Sequence, residues 1–468
     1  MSPQDERAAE QAASGLSERR REFYFRAVNW LEPAYEWGIR LARPSVEAGS
    51  VFSARARRAV RSRRAAVAQL EAWAHAARDN TLPLVWVHAP SAGEALMAQA
   101  IITELRQRRR VQVAFTYFSD SAERLAANVG ADVASVLPWD IAGEMNKALD
   151  ALDPAAIVFV RTEVWPVLTR EAARRGTATL LVNAPLGAQS SRQRVPARTL
   201  LRHVYRRLDA VAAVSPEDAE RFAKLGVPAA RVQVLGDARF DQVWARVQAS
   251  RAADASVARL RDPGTPALVA GSTWPADEAR LVPATARVQA ERPFRLIIAP
   301  HEPTPGHIAG LERRLERAGI ASRRLREIEA GAAPAPAVIV DRVGVLAHLY
   351  AAGSLAYVGG GFGRRGLHSV IEPAALGRAV LFGPRHGNAQ EAARLAAAGG
   401  GVIVTDARSI ERELSRWLSD AAAGQRAREF VERNLGAAQR ISHLIERFLE
   451  RRSGQAAPQP ATAREGRA

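Results

Sequence analysis

The chain of 468 residues has no cysteine, which excludes disulfides, zinc–thiolate sites, Fe–S clusters and thiol nucleophiles. Lysine is nearly absent as well: Lys147 and Lys224 stand alone among 66 basic residues, so the basic charge is almost all arginine. No run of about 18 apolar residues occurs, so no transmembrane helix is expected. The first twenty residues are too polar for the apolar centre of a signal peptide. Familiar catalytic signatures are missing too. There is no P-loop, no GxSxG elbow, no HExxH and no convincing pair of metal-binding aspartates, which disfavours metal-assisted chemistry.

What is present has the make-up of a globular protein, 47% hydrophobic and 25% charged, and the length calls for two domains. The net charge is +17. Its Arg- and Ala-rich character matches the bias of a GC-rich coding sequence, a compositional cause. Such a charge still attracts nucleic acid, anionic lipid or phosphorylated substrates. No nucleic-acid-binding module accompanies it, so nucleic acid is not expected as a partner.

Residues 22–43 place Tyr24, Val28, Leu31, Tyr35 and Ile39 at helical spacing, beside Phe23, Phe25, Trp30 and Trp37. Arg19, Arg20, Arg21, Arg26, Arg40 and Arg43 frame them. The pattern suits a membrane interface or a helix packed on the body of the protein. Pro33 is expected to bend it in either case. With the basic stretch 55–64 it defines an N-terminal segment, 1–64.

Beyond it, short apolar runs alternate with helical stretches. Strands are expected at 84–88, 111–116, 157–160, 179–182, 210–214 and 232–235, with a helix over 93–106. After a charged helical stretch, 246–265, the pattern restarts at 267–270, 296–299, 337–340, 355–358, 379–382 and 401–404. This is the α/β alternation of parallel sheets. It predicts two doubly wound, Rossmann-like domains, 65–250 and 251–451, facing a cleft, with a disordered tail over 452–468.

Several strand ends carry candidate chemistry. Ser91-Ala92-Gly93-Glu94 turns into a helix with Glu94 in its first turn, where a carboxylate can accept a proton from a hydroxyl. The plainer alternative is complementation of the helix dipole. Glu163, in Arg161-Thr162-Glu163-Val164-Trp165-Pro166, stands in the same relation to the next strand, or merely caps a helix. Arg239, in Gly236-Asp237-Ala238-Arg239-Phe240-Asp241, offers fixed positive charge or is a solvated turn residue. In the second half, Gly359-Gly360-Gly361 and Gly366 to Glu372 combine glycine-rich backbone, a helix start and an acid. Those features suit a phosphate and a ribose, although GxGxxG is not formed. His301 also ends a strand.

Together these segments resemble the 3-deoxy-D-manno-octulosonic acid (Kdo) transferases. The resemblance spans about residues 22–445 and rests on Val87-His88-Ala89-Pro90-Ser91-Ala92-Gly93-Glu94, Thr162-Glu163-Val164-Trp165-Pro166 and Gly236-Asp237-Ala238-Arg239-Phe240-Asp241. Gly271-Ser272-Thr273-Trp274-Pro275, Val358-Gly359-Gly360 and Ile371-Glu372-Pro373-Ala374-Ala375 continue it. The chain departs from the family at Val160-Arg161 in place of Met-Glu, at Pro185 in place of Arg, and at Pro300-His301-Glu302 in place of Pro-Arg-His.

The resemblance implies a GT-B glycosyltransferase that moves Kdo from CMP-Kdo to a lipid A precursor in lipopolysaccharide synthesis. It implies inversion of the anomeric centre with no metal or further cofactor. Glu94 is then the general base, and Glu163 and Arg239 complete the catalytic group. Pro300, His301, Val343, Gly344, Val345, Ser369, Val370, Ile371 and Glu372 hold the nucleotide. The expected location is the cytoplasmic face of the inner membrane, bound peripherally to its anionic surface. Two alternatives stand beside it: a GT-B enzyme for another CMP- or UDP-sugar, and a non-catalytic, polyanion-binding relative.

Overall fold

The computed structural model describes residues 18–195, 197–250, 259–260 and 264–455. Among these residues, fourteen strands form two seven-stranded sheets in which every pairing is parallel. The chain divides into two compact units, one ending at Arg239 and resuming at Gly436, the other covering Phe240–Leu435.

In the first unit the strands are β1 (Leu84–His88), β2 (Gln112–Tyr117), β3 (Val133–Val136), β4 (Ala156–Val160), β5 (Ala178–Ala184), β6 (Ala210–Ala213) and β7 (Val232–Val234). They are ordered β3-β2-β1-β4-β5-β6-β7, so the winding reverses between β1 and β4. Every residue of β1 and β4 is buried. Such runs follow from a parallel sheet covered on both faces. Leu84 and Trp86 enter one core, Val85 and Val87 the other.

The second unit carries β8 (Ala267–Thr273), β9 (Arg295–Pro300), β10 (Ser322–Arg324), β11 (Ala337–Ile339), β12 (Leu355–Val358), β13 (Ala379–Phe382) and β14 (Gly401–Ile403). Their order is β10-β11-β9-β8-β12-β13-β14, and the reversal falls between β8 and β12. Ligands of open α/β sheets gather at the carboxyl ends of strands flanking such a reversal.

Four expectations change. Strands β3 and β10 escape the sequence pattern, because Val-Ala-Ser-Val is short and Ser-Arg-Arg is a polar sheet edge. The domain boundary at 250 moves back to 239, because Phe240, Val243 and Val247 are buried in the core of the second unit, and the boundary at 451 moves because the helix Ala437–Gln455 packs into the first unit rather than the second. Its Ala437, Ile441, Leu444, Ile445 and Leu449 are buried with Val85, Val87 and the helix Ala92–Arg108. Helical spacing of those apolar residues supplies a cover that the sheet face requires. The same helix claims the start of the expected tail, since Arg452 pairs with Asp153 at 2.6 Å; residues 456–468 lie outside the described residues.

The N-terminal segment likewise does not stop at 64. The helix Ala54–Ala77 carries the basic stretch straight into buried Ala66 and Leu70. Before it, the helix Glu18–Gly49 runs through Pro33 and Pro44. From Leu31 onward its inward face is largely polar: Glu32 pairs with Arg207, and Glu36 with Arg170 at 2.8 Å. Trp37 and Leu41 face outward, 62% and 72% exposed, and Phe52 in the next turn is 91% exposed. Residues 1–17 lie outside the described residues, and among those described no helix is long and apolar enough to cross a membrane.

His88, at the carboxyl end of β1, fixes the strand ends where the candidate residues lie. It is fully buried, and its Nε2 accepts the indole N–H of Trp165 at 2.9 Å. The proton therefore sits on Nδ1, 3.0 Å from Thr116 Oγ1. Burial pushes its pKa down to about 3. Between pH 6.5 and 3 the unfolded chain binds a proton that the folded chain refuses, so this group lowers stability as pH falls through that window. His88→Gln is expected to flatten the dependence by one proton, about 1.4 kcal/mol per pH unit. Urea unfolding of both proteins at pH 7 and pH 5 measures the difference; parallel curves would contradict it.

Candidate active site

Glu94 lies in the first turn of the helix that follows β1. Ser91 and Glu94 have the spacing of a capping box, but here the side chains meet each other: Ser91 Oγ donates to Glu94 Oε2. On its other oxygen, Oε1, Glu94 faces Arg161 Nε at 3.7 Å. Arg161 follows β4 directly, at a φ of 76°, a left-handed conformation that an L side chain rarely adopts. The turn that brings it to Glu94 is thus held by its surroundings rather than by local preference.

Glu163, two residues further on, is half-buried, and its Oε2 has no hydrogen-bond partner among the described residues. Burial raises its pKa first and the charge of Glu94 second, against a weaker pull from Arg192. Two carboxylates at neighbouring strand ends therefore occupy different electrostatic environments, as acid–base sites require.

Arg239 is spoken for. Its Nη2 meets Asp237 Oδ2 at 2.6 Å and its Nε the same oxygen at 2.9 Å. Burial pushes Asp237 up, but Arg239, its own backbone N–H and Arg161 together hold it below the usual carboxylate range. Arg161 thus lies between two acids, Glu94 and Asp237. Asn183 completes the wall at the irregular β5–β6 pairing: it has a φ of 49°, and its Oδ1 accepts the N–H of Ala238 at 2.7 Å.

The donor-side candidates fall in the second unit at the ends of β11, β9 and β12, with β8 between the last two. Pro300 closes β9, and the N–H of His301 donates to Thr273 O at 2.9 Å. The exposed His301 ring stacks on His368, with centroids 4.3 Å apart and planes at 27°. Trp274 adjoins His301 at 4.9 Å and donates Nε1–H to His368 Nε2 at 3.3 Å. Burial, then His301, lowers the pKa of His368. Val343, Gly344 and Val345 follow β11; Val343 is 73% exposed and Gly344 has a φ of 90°. Ser369 Oγ accepts the N–H of Ile371 at 3.4 Å, and Val370 precedes the short helix Ile371–Ala375. Glu372, expected to meet a ribose, has Oε1 on Arg246.

The glycine-rich turn also serves a contact within the protein itself. A Cβ on Gly361 would meet the backbone of Gly383 at 2.6 Å, so these glycines let two loops of the protein touch each other. Asn388 fastens the same loops through both Leu367 backbone groups, at 3.0 and 2.9 Å. Sequence reasoning singled out Glu94, Glu163 and Arg239 but assigned nothing to Arg161, Asp237, Trp274 or His368. The motifs containing them were visible; the pairings exist only in the fold. Among the described residues no group of three acidic or histidine side chains is arranged to hold a metal ion.

Comparison with known proteins follows the same division between fold and chemistry. Residues 55–242 match the family described as 3-Deoxy-D-manno-octulosonic-acid transferase (kdotransferase). A 3-deoxy-D-manno-octulosonic acid transferase of Bordetella pertussis is 31% identical over 385 residues, 78% of this chain and 87% of that protein. One from Haemophilus influenzae is 24% identical over 377 residues, with the same two coverages, 78% and 87%. Among solved structures, a UDP-GlcNAc 2-epimerase from Neisseria meningitidis bound to UDP-GlcNAc superposes with a TM-score of 0.58 at 12% identity. It covers 79% of this chain and 100% of its own, a likeness of fold alone. The fold is GT-B, and the chain belongs to the Kdo transferase family: it is a glycosyltransferase.

Proposed function

We propose that the enzyme transfers Kdo from CMP-Kdo to a sugar hydroxyl of a lipid A precursor, in lipopolysaccharide synthesis, with inversion at the anomeric carbon. The observation that carries the reading is Glu94, placed at the carboxyl end of β1 and held between Ser91 and Arg161. The acceptor belongs to the first unit and the nucleotide to the second, on Pro300, His301, Val343, Gly344, Val345 and Ser369 to Glu372. Glu94 takes the hydroxyl proton as the oxygen attacks the anomeric carbon. The bond from that carbon to the phosphate oxygen breaks, and CMP leaves with the electron pair. Direct attack from the face opposite the leaving group inverts the centre. Arg161 and Arg239 supply fixed positive charge, the preorganised kind that stabilises a transition state without reorganisation. The proposed step uses no cofactor beyond the donor.

The same reading puts the protein at the cytoplasmic face of the inner membrane, bound peripherally. Trp37, Leu41 and Phe52 project outward beside Arg40, Arg55 and Arg57, a mixture suited to a shallow seat among anionic headgroups.

Three outcomes test these assignments. Glu94→Gln is expected to cut transfer from CMP-Kdo by roughly 10²- to 10⁴-fold, with products counted by mass spectrometry; an active variant would remove Glu94 from the role. Glu163, whose pKa is raised on folding, costs stability once it ionises, and that cost disappears in acid. Glu163→Gln should therefore raise the Tm at pH 8 but not at pH 4, while transfer falls; equal shifts at both pH values would contradict the burial of its charge. Replacing both Trp37 and Phe52 by Ala should weaken sedimentation with phosphatidylglycerol vesicles. Wild-type binding to neutral vesicles as strong as to anionic ones would refute the electrostatic share.

A further inference from the structure

The second unit holds a cluster of three rings to which the transfer step gives no work beyond naming His301. Trp274 follows β8, His301 follows β9 and His368 follows β12, so they gather beside the reversal of the second sheet. Trp274 also carries the guanidinium of Arg365, 4.2 Å from its ring centroid. An indole N–H can only donate, so Nε2 of His368, which accepts it, bears no proton. The proton of the neutral ring is therefore on Nδ1.

The first unit bridges its own reversal with the same pair of residue types. Trp165, beyond β4, donates to Nε2 of His88 at the end of β1. The two bridges differ at the other nitrogen. His88 is fully buried, and its Nδ1 meets Thr116 Oγ1. His368 is half-buried; its Nδ1 is not sealed from solvent and meets no acceptor among the described residues. The ring itself is held firmly. His301 lies on its face, and a Cβ on Gly360 would come within 3.3 Å of its Cδ2. The N–H of His368 donates to Gly359 O at 3.2 Å, which ties the residue to the glycine-rich turn.

The surroundings also keep this ring neutral. Protonation would deprive Trp274 of its acceptor and set a charge against His301, with Arg365 already resting on Trp274. Asp277 pulls the other way, but it is engaged by the hydroxyl of Tyr357 and the N–H groups of Trp274 and Gly360. Burial and His301 outweigh it, and the pKa of His368 falls.

We propose that Trp274 is a positioning residue for the leaving group: it locks His368 in the Nδ1–H form, which presents one uncharged donor to the phosphate of the nucleotide. The inference rests on the assignment of the nucleotide to this unit and adds His368 and Trp274 to the residues that serve it. As the bond from the anomeric carbon breaks, the phosphate oxygen gains charge and the hydrogen bond from Nδ1 strengthens, while the proton stays on nitrogen. His368 touches the leaving group; Trp274 acts only through His368. A free imidazole could offer either a donor or a lone pair at Nδ1, and the indole removes that choice.

The test uses the full chain as wild type, Trp274→Phe, His368→Asn and the double variant. Phenylalanine keeps a ring against His301 without the N–H. Asparagine keeps an amide N–H near the place of Nδ1 and has no tautomers. Nitrogen NMR of 15N-histidine-labelled protein reads the lock without substrate, His368 being identified by its loss in His368→Asn. The wild type is expected in the Nδ1–H form and Trp274→Phe as a mixture of forms. A wild type with the proton on Nε2, or an Nδ1–H form that persists in Trp274→Phe, would overturn the proposal. In transfer from CMP-Kdo, Trp274→Phe should lower kcat roughly three- to tenfold, part of one charge-assisted hydrogen bond. KM for CMP-Kdo should stay nearly unchanged, because the bond matters most in the transition state. The same substitution should cost markedly less in the His368→Asn background. Equal costs in both backgrounds, or a rise in KM alone, would reduce Trp274 to a packing residue and defeat its positioning role. CMP alone, as the probe, should shift the Nδ1 resonance of His368. Such a shift without any Kdo transfer supports the role of His368 and counts against the transferase reading. Normal transfer with no shift on CMP leaves that reading intact and overturns the role of His368.

Discussion

A parallel sheet must be covered on both faces, and much else in this protein follows from that constraint. It accounts for the unbroken burial of β1 and β4, and it draws the last helix back to the first unit. It also confines polar chemistry to the strand ends, since nothing charged can sit within the layers without a partner. Glu94, Glu163 and Arg161 stand where they do because the carboxyl ends of β1 and β4 are where the winding reverses and the backbone is uncovered.

At those ends the scarcity of lysine becomes a structural trait. Arginine meets carboxylates with a planar fork and lies flat on aromatic rings, which an ammonium does less well. Asp237 is gripped by Arg239 through two nitrogens, Glu94 is approached by Arg161, and Arg63 rests on Phe118 and Trp139. The excess of +17 is therefore not only a diffuse surface field. Part of it is fixed, residue by residue, around one set of strand ends.

The class of fold was legible in the sequence because long, fully buried strands such as Ala156–Val160 leave an apolar run that little else explains. The edge strands β3 and β10 were not, since Val133–Val136 is short and Ser322–Arg324 has no apolar side chain to betray it. The candidate acids were legible through their position after strands. Their partners were not, because Arg161 reaches Glu94 through an unusual backbone angle and Arg239 reaches Asp237 only once the turn has formed. The glycine-rich turn was visible but gave no sign of the second loop that packs on it, Gly383 against Gly361. The final helix displayed an apolar stripe without saying which sheet it would cover.

That helix has a consequence for how the protein is made. The chain leaves the first unit after Arg239 and regains it at Gly436, so the second unit is an insertion within the first. During synthesis from the N-terminus, the second unit has all its residues before the first does. Until Ala437–Gln455 emerges, the nascent first sheet keeps an apolar face open to water and to other chains. A premature stop near residue 435 would spare the second unit and strike the unit that carries Glu94, about 340 residues away in sequence.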